Sequence, residues 1–376
     1  MIRIVQIVPF IGKGTGVAGV ASNLDEQFRA LGVEVERFTY NDAVRGKAVI
    51  YPKHPLLARI RGGWRMVWFS TVGTMRARRF LADRPDAITI CHNNIMAGDV
   101  YVNHGVLLAS MRARGRSAWE IYRNPVHVFI YLRDLVRYRG RTHRAVVCLS
   151  ERDAADLRAT YGRIRPRVEV IPNGVDLELF HPPTPDERLA ARAELKLGTE
   201  ERVAVFVGHE FTRKGLSFAI QGLPHAPSVL LLVLGGNDDI IAEAYAEAKE
   251  LGVGDRVLFL GPRHYPVPFL HASDFFVLPS AYEANALVVL EALACGLPVV
   301  STRVGFAPDL VVDGENGYLV DRDAASVAER LHGLARQDLE PWRARARGTA
   351  ERFAWPEIAR QYLELVASLR TVGSMT

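Results

Sequence analysis

The chain has 376 residues, 49% of them hydrophobic and 24% charged, with a formal net charge of +5. That length is more than one hydrophobic core comfortably serves, and the composition excludes a disordered or fibrous chain. Three cysteines, Cys91, Cys148 and Cys295, are odd in number and far apart, which argues against a disulfide framework or a zinc site and for a reducing compartment. No run approaches the ~20 apolar residues of a spanning helix. The apolar stretch from Ile4 to Ile11 is short and has no basic leader or small-residue cleavage site, so it reads as a first buried strand rather than a secretion signal. The expected location is the cytoplasm, with the inner face of the cell membrane left open.

Residues 2–8 read as a strand, followed by the loop Gly12-Lys13-Gly14-Thr15-Gly16 and a helix over 17–31 that Gly32 ends. Residues 33–40 read as the next strand. A glycine-rich turn between first strand and first helix suits close approach of backbone to phosphate. Gly14, Gly16 and Gly19 also fit a Gly-x-Gly-x-x-Gly spacing, with Asp42 as its acidic partner. That fingerprint is weak by itself, and it keeps an NAD-dependent oxidoreductase among the readings.

Residues 87–91 read as a strand leading to His92-Asn93-Asn94, and Asp99 to Gly105 as a short strand ending in His104. Neither histidine has a partner at metal-ligand spacing, so no metal is expected. A lone histidine is most often a hydrogen-bonded structural residue, the reading preferred for His92. Ala145 to Leu149 is a strand opening into a helix capped by Ser150. Val168 to Ile171, then Pro172-Asn173-Gly174, is a strand and turn. Pro182-Pro183-Thr184-Pro185 has the composition of a linker.

Charge is uneven along the chain. Residues 1–150 carry 23 Lys/Arg and 10 Asp/Glu, a net of +13, and the rest carry 24 and 32, a net of −8. One basic stretch holds Arg59, Arg61, Arg65, Arg76, Arg78 and Arg79 among Trp64, Trp68 and Phe69. A second runs from Arg112 through Arg116, Arg133 and Arg137 to Arg144, with Trp119, Tyr122, Phe129 and Tyr131 interleaved. Arginines mixed with aromatics suit an anionic membrane surface, and equally a basic surface with no partner. No nucleic-acid module is present, and no nucleic-acid partner is expected.

The second half opens with a strand over 203–207, then Gly208-His209-Glu210-Phe211-Thr212-Arg213-Lys214-Gly215 and a helix. A glycine at a strand end followed by two cations at a helix entry makes a phosphate cradle. Strands follow at 230–234 before Gly235-Gly236, and at 257–260 before Gly261-Pro262-Arg263. Phe275 to Leu278 is a buried strand, and a helix over 286–294 is stopped by Gly296 and Pro298. Glu283 falls on the loop between them and Glu291 on the helix. On one continuous helix the two would differ by roughly 80°, so they are expected to grip different parts of one ligand. Residues 316–320 read as a hairpin-like closing element and Trp355 to Leu369 as an amphipathic helix.

The two glutamates, the Arg213-Lys214 pair and the Ile-Pro-Asn-Gly-Val-Asp segment at 171–176 together resemble the retaining nucleotide-sugar glycosyltransferases of the family-4 type. The resemblance covers nearly the whole chain. It implies an α/β GT-B fold: two facing Rossmann-like domains with a cleft between them, residues 1–180 as the acceptor domain and 185–354 as the donor domain, and a C-terminal helix (355–376) crossing back to the first. It implies that Glu283 binds hydroxyls of the transferred sugar and Glu291 the nucleotide ribose. Lys214 and Arg213, beside Gly208 and the helix start at Asn285, Ala286 and Leu287, would hold the diphosphate. Arg263 would lie beside the base, His104 would face the sugar, and the Gly16 backbone would approach phosphate or acceptor. The implied reaction transfers a sugar from a UDP or GDP sugar to a glycan, lipid-linked or small-molecule acceptor, with no cofactor and no metal. No nucleophile is identifiable, so front-side displacement is expected. Three positions depart from the family pattern: Ala286 replaces a glycine, His209 an arginine and Thr15 a glycine. A methyl group at Ala286 is expected to crowd the sugar. A noncatalytic sugar-nucleotide-binding subunit and an epimerase of the same fold remain as alternatives.

Overall fold

The computed structural model describes residues 2–12, 16–46, 55–115 and 123–373, the side chains of 55–60 and 371–373 excepted. The loop residues Lys13, Gly14 and Thr15, the stretch holding Arg116, Trp119 and Tyr122, and the Arg59 side chain therefore lie outside the described residues. Internal contacts divide the chain into two compact units, Met1–Asn173 with Trp355–Thr376, and Gly174–Ala354.

The first unit is built on strands β1 (Arg3–Ile7), β2 (Glu34–Phe38), β3 (Ile88–His92), β4 (Val100–Val102), β5 (Ala145–Cys148) and β6 (Arg167–Val170), in the order β2-β1-β3-β4-β5-β6. The second is built on β7 (Arg202–Val207), β8 (Val229–Leu234), β9 (Val257–Gly261), β10 (Phe275–Leu278), β11 (Val299–Thr302) and β12 (Gly317–Val320), in the order β12-β11-β10-β7-β8-β9. Every pairing is parallel. A parallel sheet is covered by helices on both faces, so its central strands must be apolar throughout rather than alternating. The six-residue run Val-Leu-Leu-Leu-Val-Leu of β8 and the run Phe-Phe-Val-Leu of β10 meet that demand.

The helix Trp355–Gly373 packs with the first unit. Ile358, Ala359, Tyr362, Leu365, Val366 and Leu369 recur at helical spacing and are buried. Tyr362 meets Phe28 of helix Gly16–Ala30 edge-on at 6.5 Å, and Arg167 donates to the Ser368 hydroxyl at 3.1 Å.

Three local expectations change. Of residues 182–185 the last two are a helix entry rather than linker: Thr184 caps helix Pro185–Glu194, forming a reciprocal capping box with Glu187, and Pro185 opens its first turn, while 182 and 183 have no regular structure. Proline and threonine there supply helix-entry chemistry, which composition alone does not separate from a linker. Residues 317–320 do not form a hairpin. The Asn316 side chain accepts from the Val312 N–H at 2.8 Å and donates to the Leu310 carbonyl at 2.9 Å, turning the chain into β12, which runs parallel to β11. Finally, two arginines of the second basic stretch, Arg133 and Arg137, are internal. Arg137 is fully buried, stacked 3.8 Å over Tyr101 and hydrogen-bonded to Asp134 and the Ile95 carbonyl. Arg133 donates to Asn94, Ser70 and Asp134.

The second unit has its own buried charge hub. Asp274, at the entry to β10, accepts from Arg188 at 2.7 Å, Arg343 at 3.2 Å and the Val203 N–H of β7 at 2.9 Å. Truncating it would leave guanidinium groups and a strand N–H without their acceptor, a loss of the kind that costs about 3–5 kcal/mol. Asp274→Ala is therefore expected to destabilise the second unit by about that amount, read as loss of amide-exchange protection in β7 and β10. Unchanged protection there would refute it.

Candidate functional site

In the second sheet the strand order reverses at β7, which lies between β8 and β10. Open α/β sheets bind ligands outside the carboxyl ends of their strands at such a switch point. The two segments leaving β7 and β10 meet there. The first turns through helix Phe211–Lys214 into Gly215, whose φ of +76° is left-handed. A Cβ on Gly215 would sit 2.0 Å from the Pro279 carbonyl oxygen, so only glycine lets the two segments pass this closely. The Ala281 N–H donates to the Arg213 carbonyl at 2.8 Å and ties them together.

This junction assembles a charge cluster around Glu283, which lies in the loop ahead of helix Leu287–Ala294. Its Oε1 accepts from Arg213 Nη1 at 2.9 Å, Lys214 Nζ at 3.0 Å and the Ser280 hydroxyl at 3.0 Å. No hydrogen bond to Oε2 is found among the described residues. Arg213 also pairs with Glu210 and with the Tyr282 carbonyl. Lys214 takes its position because residue 208 has no side chain: a Cβ on Gly208 would fall 2.1 Å from Lys214 Cδ. Glu291, one helix turn beyond the loop, is half-buried. Desolvation raises its carboxyl to about 7, against the opposing charge of Lys214. Arg263, beyond β9, is exposed and stacked over Phe269 at 5.6 Å, and His209 is exposed.

The first unit has a second polar focus. There the order reverses at β1, between β2 and β3. His92 closes β3 and is fully buried; its Nδ1 lies 3.0 Å from His104 Nε2 and its Nε2 lies 3.2 Å from Gln6 Oε1. Burial lowers both rings, His104 to about 4 and His92 well below its ordinary value, the latter with a smaller contribution from His104. Both are therefore neutral at pH 7. Gly16 opens helix Gly16–Ala30 with a φ of +78°. Among the described residues no group of three or more His, Cys, Asp or Glu is arranged to hold a metal ion, and no helix is long and apolar enough to cross a membrane.

Sequence reasoning brought Glu283, Arg213, Lys214 and Gly208 into one neighbourhood, and the structure joins them directly. It placed His104 at a strand end but gave no hint of its contact with His92, or of the contact of His92 with Gln6, 86 positions earlier. Ser280 was also missed, although a hydroxyl at a strand end three residues before a glutamate is a signal that would find it.

Two family models match the chain in succession: Glycosyltransferase Family 4 over residues 14–179 and Glycosyl transferases group 1 over 187–350. A D-inositol 3-phosphate glycosyltransferase of Xylanimonas cellulosilytica is 37% identical over 235 residues, covering 59% of this chain and 56% of the relative. An alpha-maltose-1-phosphate synthase of Mycolicibacterium smegmatis is 33% identical over 243 residues, covering 59% of this chain and 62% of the relative. The matches thus span little more than half the length of these relatives. Among solved structures, WaaG, a glycosyltransferase involved in lipopolysaccharide biosynthesis, aligns with a TM-score of 0.75 at 20% identity over 96% of this chain and 99% of its own. Anabaena HepE in complex with UDP-glucose aligns with a TM-score of 0.69 at 20% identity, over 98% and 100%. These likenesses show that the fold is GT-B.

Ala286 caps helix Leu287–Ala294 with a φ of +61° and is 6% exposed, within the apolar core of its unit. A left-handed backbone explains why glycine suits this position, apart from any crowding of a ligand. Relief of that strain is worth ~1–2 kcal/mol, the extra freedom of an unfolded glycine costs ~0.4–1, and the lost methyl burial costs ~0.8. Ala286→Gly should therefore change stability by less than about 1 kcal/mol, whereas Ala286→Val, β-branched at positive φ, should cost more than about 2 kcal/mol. Denaturant unfolding of both variants checks this.

Proposed function

This chain belongs to the glycosyltransferase family that the group 1 and family 4 models describe, and from that premise we propose that it transfers a sugar from a nucleoside diphosphate to a glycan, lipid-linked or small-molecule acceptor, with retention of configuration. The observation that carries this reading is the convergence of Arg213, Lys214 and Glu283 at the switch point of the second sheet. Arg213 and Lys214 hold the diphosphate, and the first turn of helix Leu287–Ala294, with Asn285 and Ala286 leading into it, adds its dipole. Positive charge fixed in advance stabilises the leaving phosphate as the bond to the anomeric carbon breaks. The two cations do this without a metal ion. Glu283 Oε1 is occupied by its three donors, and Oε2 accepts from hydroxyls of the transferred sugar. Glu291 accepts from the ribose, Arg263 lies beside the base, and the Gly208 and Gly16 backbones permit close approach of phosphate. The acceptor oxygen attacks from the side the diphosphate leaves, and the departing phosphate oxygen takes its proton.

A UDP sugar is the first donor to try, since HepE binds UDP-glucose. Isothermal titration against UDP, GDP and their sugars should show saturable binding of one nucleotide class. Binding of the nucleotide sugar should tighten between about pH 6 and pH 8, as Glu291 ionises near 7 and becomes the better acceptor. Glu291→Gln should weaken binding about tenfold and abolish that pH dependence. A folded protein that binds none of these nucleotides would sink the transferase reading.

The acceptor reading extends to a membrane surface. Trp64 and Met75 are 69% and 56% exposed, in helical segments that also carry Arg61, Arg65, Arg78 and Arg79. Co-sedimentation with anionic vesicles is expected, weakened by salt and by Trp64→Ala. Binding that high salt leaves undiminished would rule out the electrostatic attachment.

A further inference from the structure

A chain of hydrogen bonds runs through the first unit from a helix carbonyl to His104, and the chemistry of its ends determines every proton along it. Gln6 Nε2 lies 3.0 Å from the Ala21 carbonyl oxygen of helix Gly16–Ala30. A carbonyl can only accept, so the Gln6 amide must turn its NH2 to Ala21 and its Oε1 to His92. Oε1 also only accepts, so the hydrogen between it and His92, at 3.2 Å, belongs to His92 Nε2. A neutral imidazole carrying its proton on Nε2 offers Nδ1 as an acceptor. The 3.0 Å contact between His92 Nδ1 and His104 Nε2 is then donated by His104. Flipping the Gln6 amide would set oxygen against oxygen at Ala21, and moving the His92 proton would set lone pair against lone pair at Gln6. Gln6 and His92 are fully buried, where such an unpaired contact costs the most.

His104 is left as the Nε2–H tautomer, with Nδ1 as a lone pair that has no partner among the described residues. The residue is half-buried and stands just past the end of β4, while Gln6 and His92 lie on β1 and β3, the two strands that flank the switch point of this sheet. Resting on the transferase reading above, we propose that Gln6 and His92 are positioning residues that lock the His104 tautomer and so reserve its Nδ1 as an acceptor for a sugar hydroxyl. The ligand group at this point must be a donor. A carbohydrate hydroxyl meets that requirement; an ether, a carbonyl or a phosphate oxygen does not.

The test begins with the nitrogen-15 spectrum of histidine-labelled full-length protein. Both His92 and His104 should show protonated Nε2 and bare Nδ1 at neutral pH. In Gln6→Met, whose thioether is only a weak acceptor for the His92 N–H, His104 should lose this single-tautomer signature. A protonated Nδ1 on wild-type His104, or a Gln6→Met spectrum unchanged at His104, would overturn the proposal. This readout needs no activity, so a wild type that transfers no sugar would count against the transferase reading and leave the relay to be judged on the spectrum. In an active enzyme, Gln6→Met should lower kcat/KM about tenfold. The same change should have almost no further effect in a His104→Ala background, whereas additive losses would refute the coupling. A KM effect confined to the nucleotide sugar assigns the hydroxyl to the donor, and one confined to the acceptor assigns it there.

Discussion

The interaction on which the second unit's site depends is the one Glu283 makes with Arg213 and Lys214. All three side chains are largely buried, so each charge has lost water and must be compensated locally. That compensation is why the two loops have so little freedom. Gly208 leaves room for the lysine stem, Gly215 lets its loop cross the Pro279 carbonyl, and Gly305, at a φ of +52°, would place a Cβ 2.9 Å from the Glu283 carbonyl oxygen. Ser280 completes the donor set on Oε1. A carboxylate held on one oxygen by three donors has little freedom to turn, and its other oxygen has no hydrogen bond among the described residues. Position and available chemistry are thus set by one interaction.

The first unit solves the same problem with neutral groups. Its polar chain of Gln6, His92 and His104 carries no net charge, because burial keeps both imidazoles unprotonated. A neutral acceptor suits a hydroxyl, just as the paired cations suit a phosphate. Both foci stand at strand ends where the sheet order reverses, the place at which successive crossover helices leave on opposite faces and open a crevice.

The excess of positive charge in the first 150 residues serves the interior as well as the surface. Arg137 and Arg133 brace the segment after β3, and Arg144 reaches the Leu369 carbonyl of the C-terminal helix. Arginine suits such braces because its rigid fork satisfies several acceptors at once and stacks on aromatic rings, as Arg137 does on Tyr101. The net of +13 therefore overstates the charge offered to a partner.

What the sequence by itself determined is what depends on neighbours along the chain. Apolar runs such as 230–234 and 275–278 read as buried strands, glycines and caps marked the turns, and the spacing of Glu283 from Glu291 put one on a loop and the other on a helix. Those patterns sufficed to recognise the family and its two sheets. The tertiary structure decided what depends on residues far apart: that Ser280 and both cations share one carboxylate oxygen, that Gln6 sets the proton on His92, and that Arg137 is buried. It also decided that residue 286 has a left-handed backbone, which turns a conspicuous substitution into a question of strain as well as of space. Local sequence encodes dihedral preference and amphipathic period. Which distant polar groups meet is settled only when strands take their order in a sheet, and buried polar groups must then find partners or be lost.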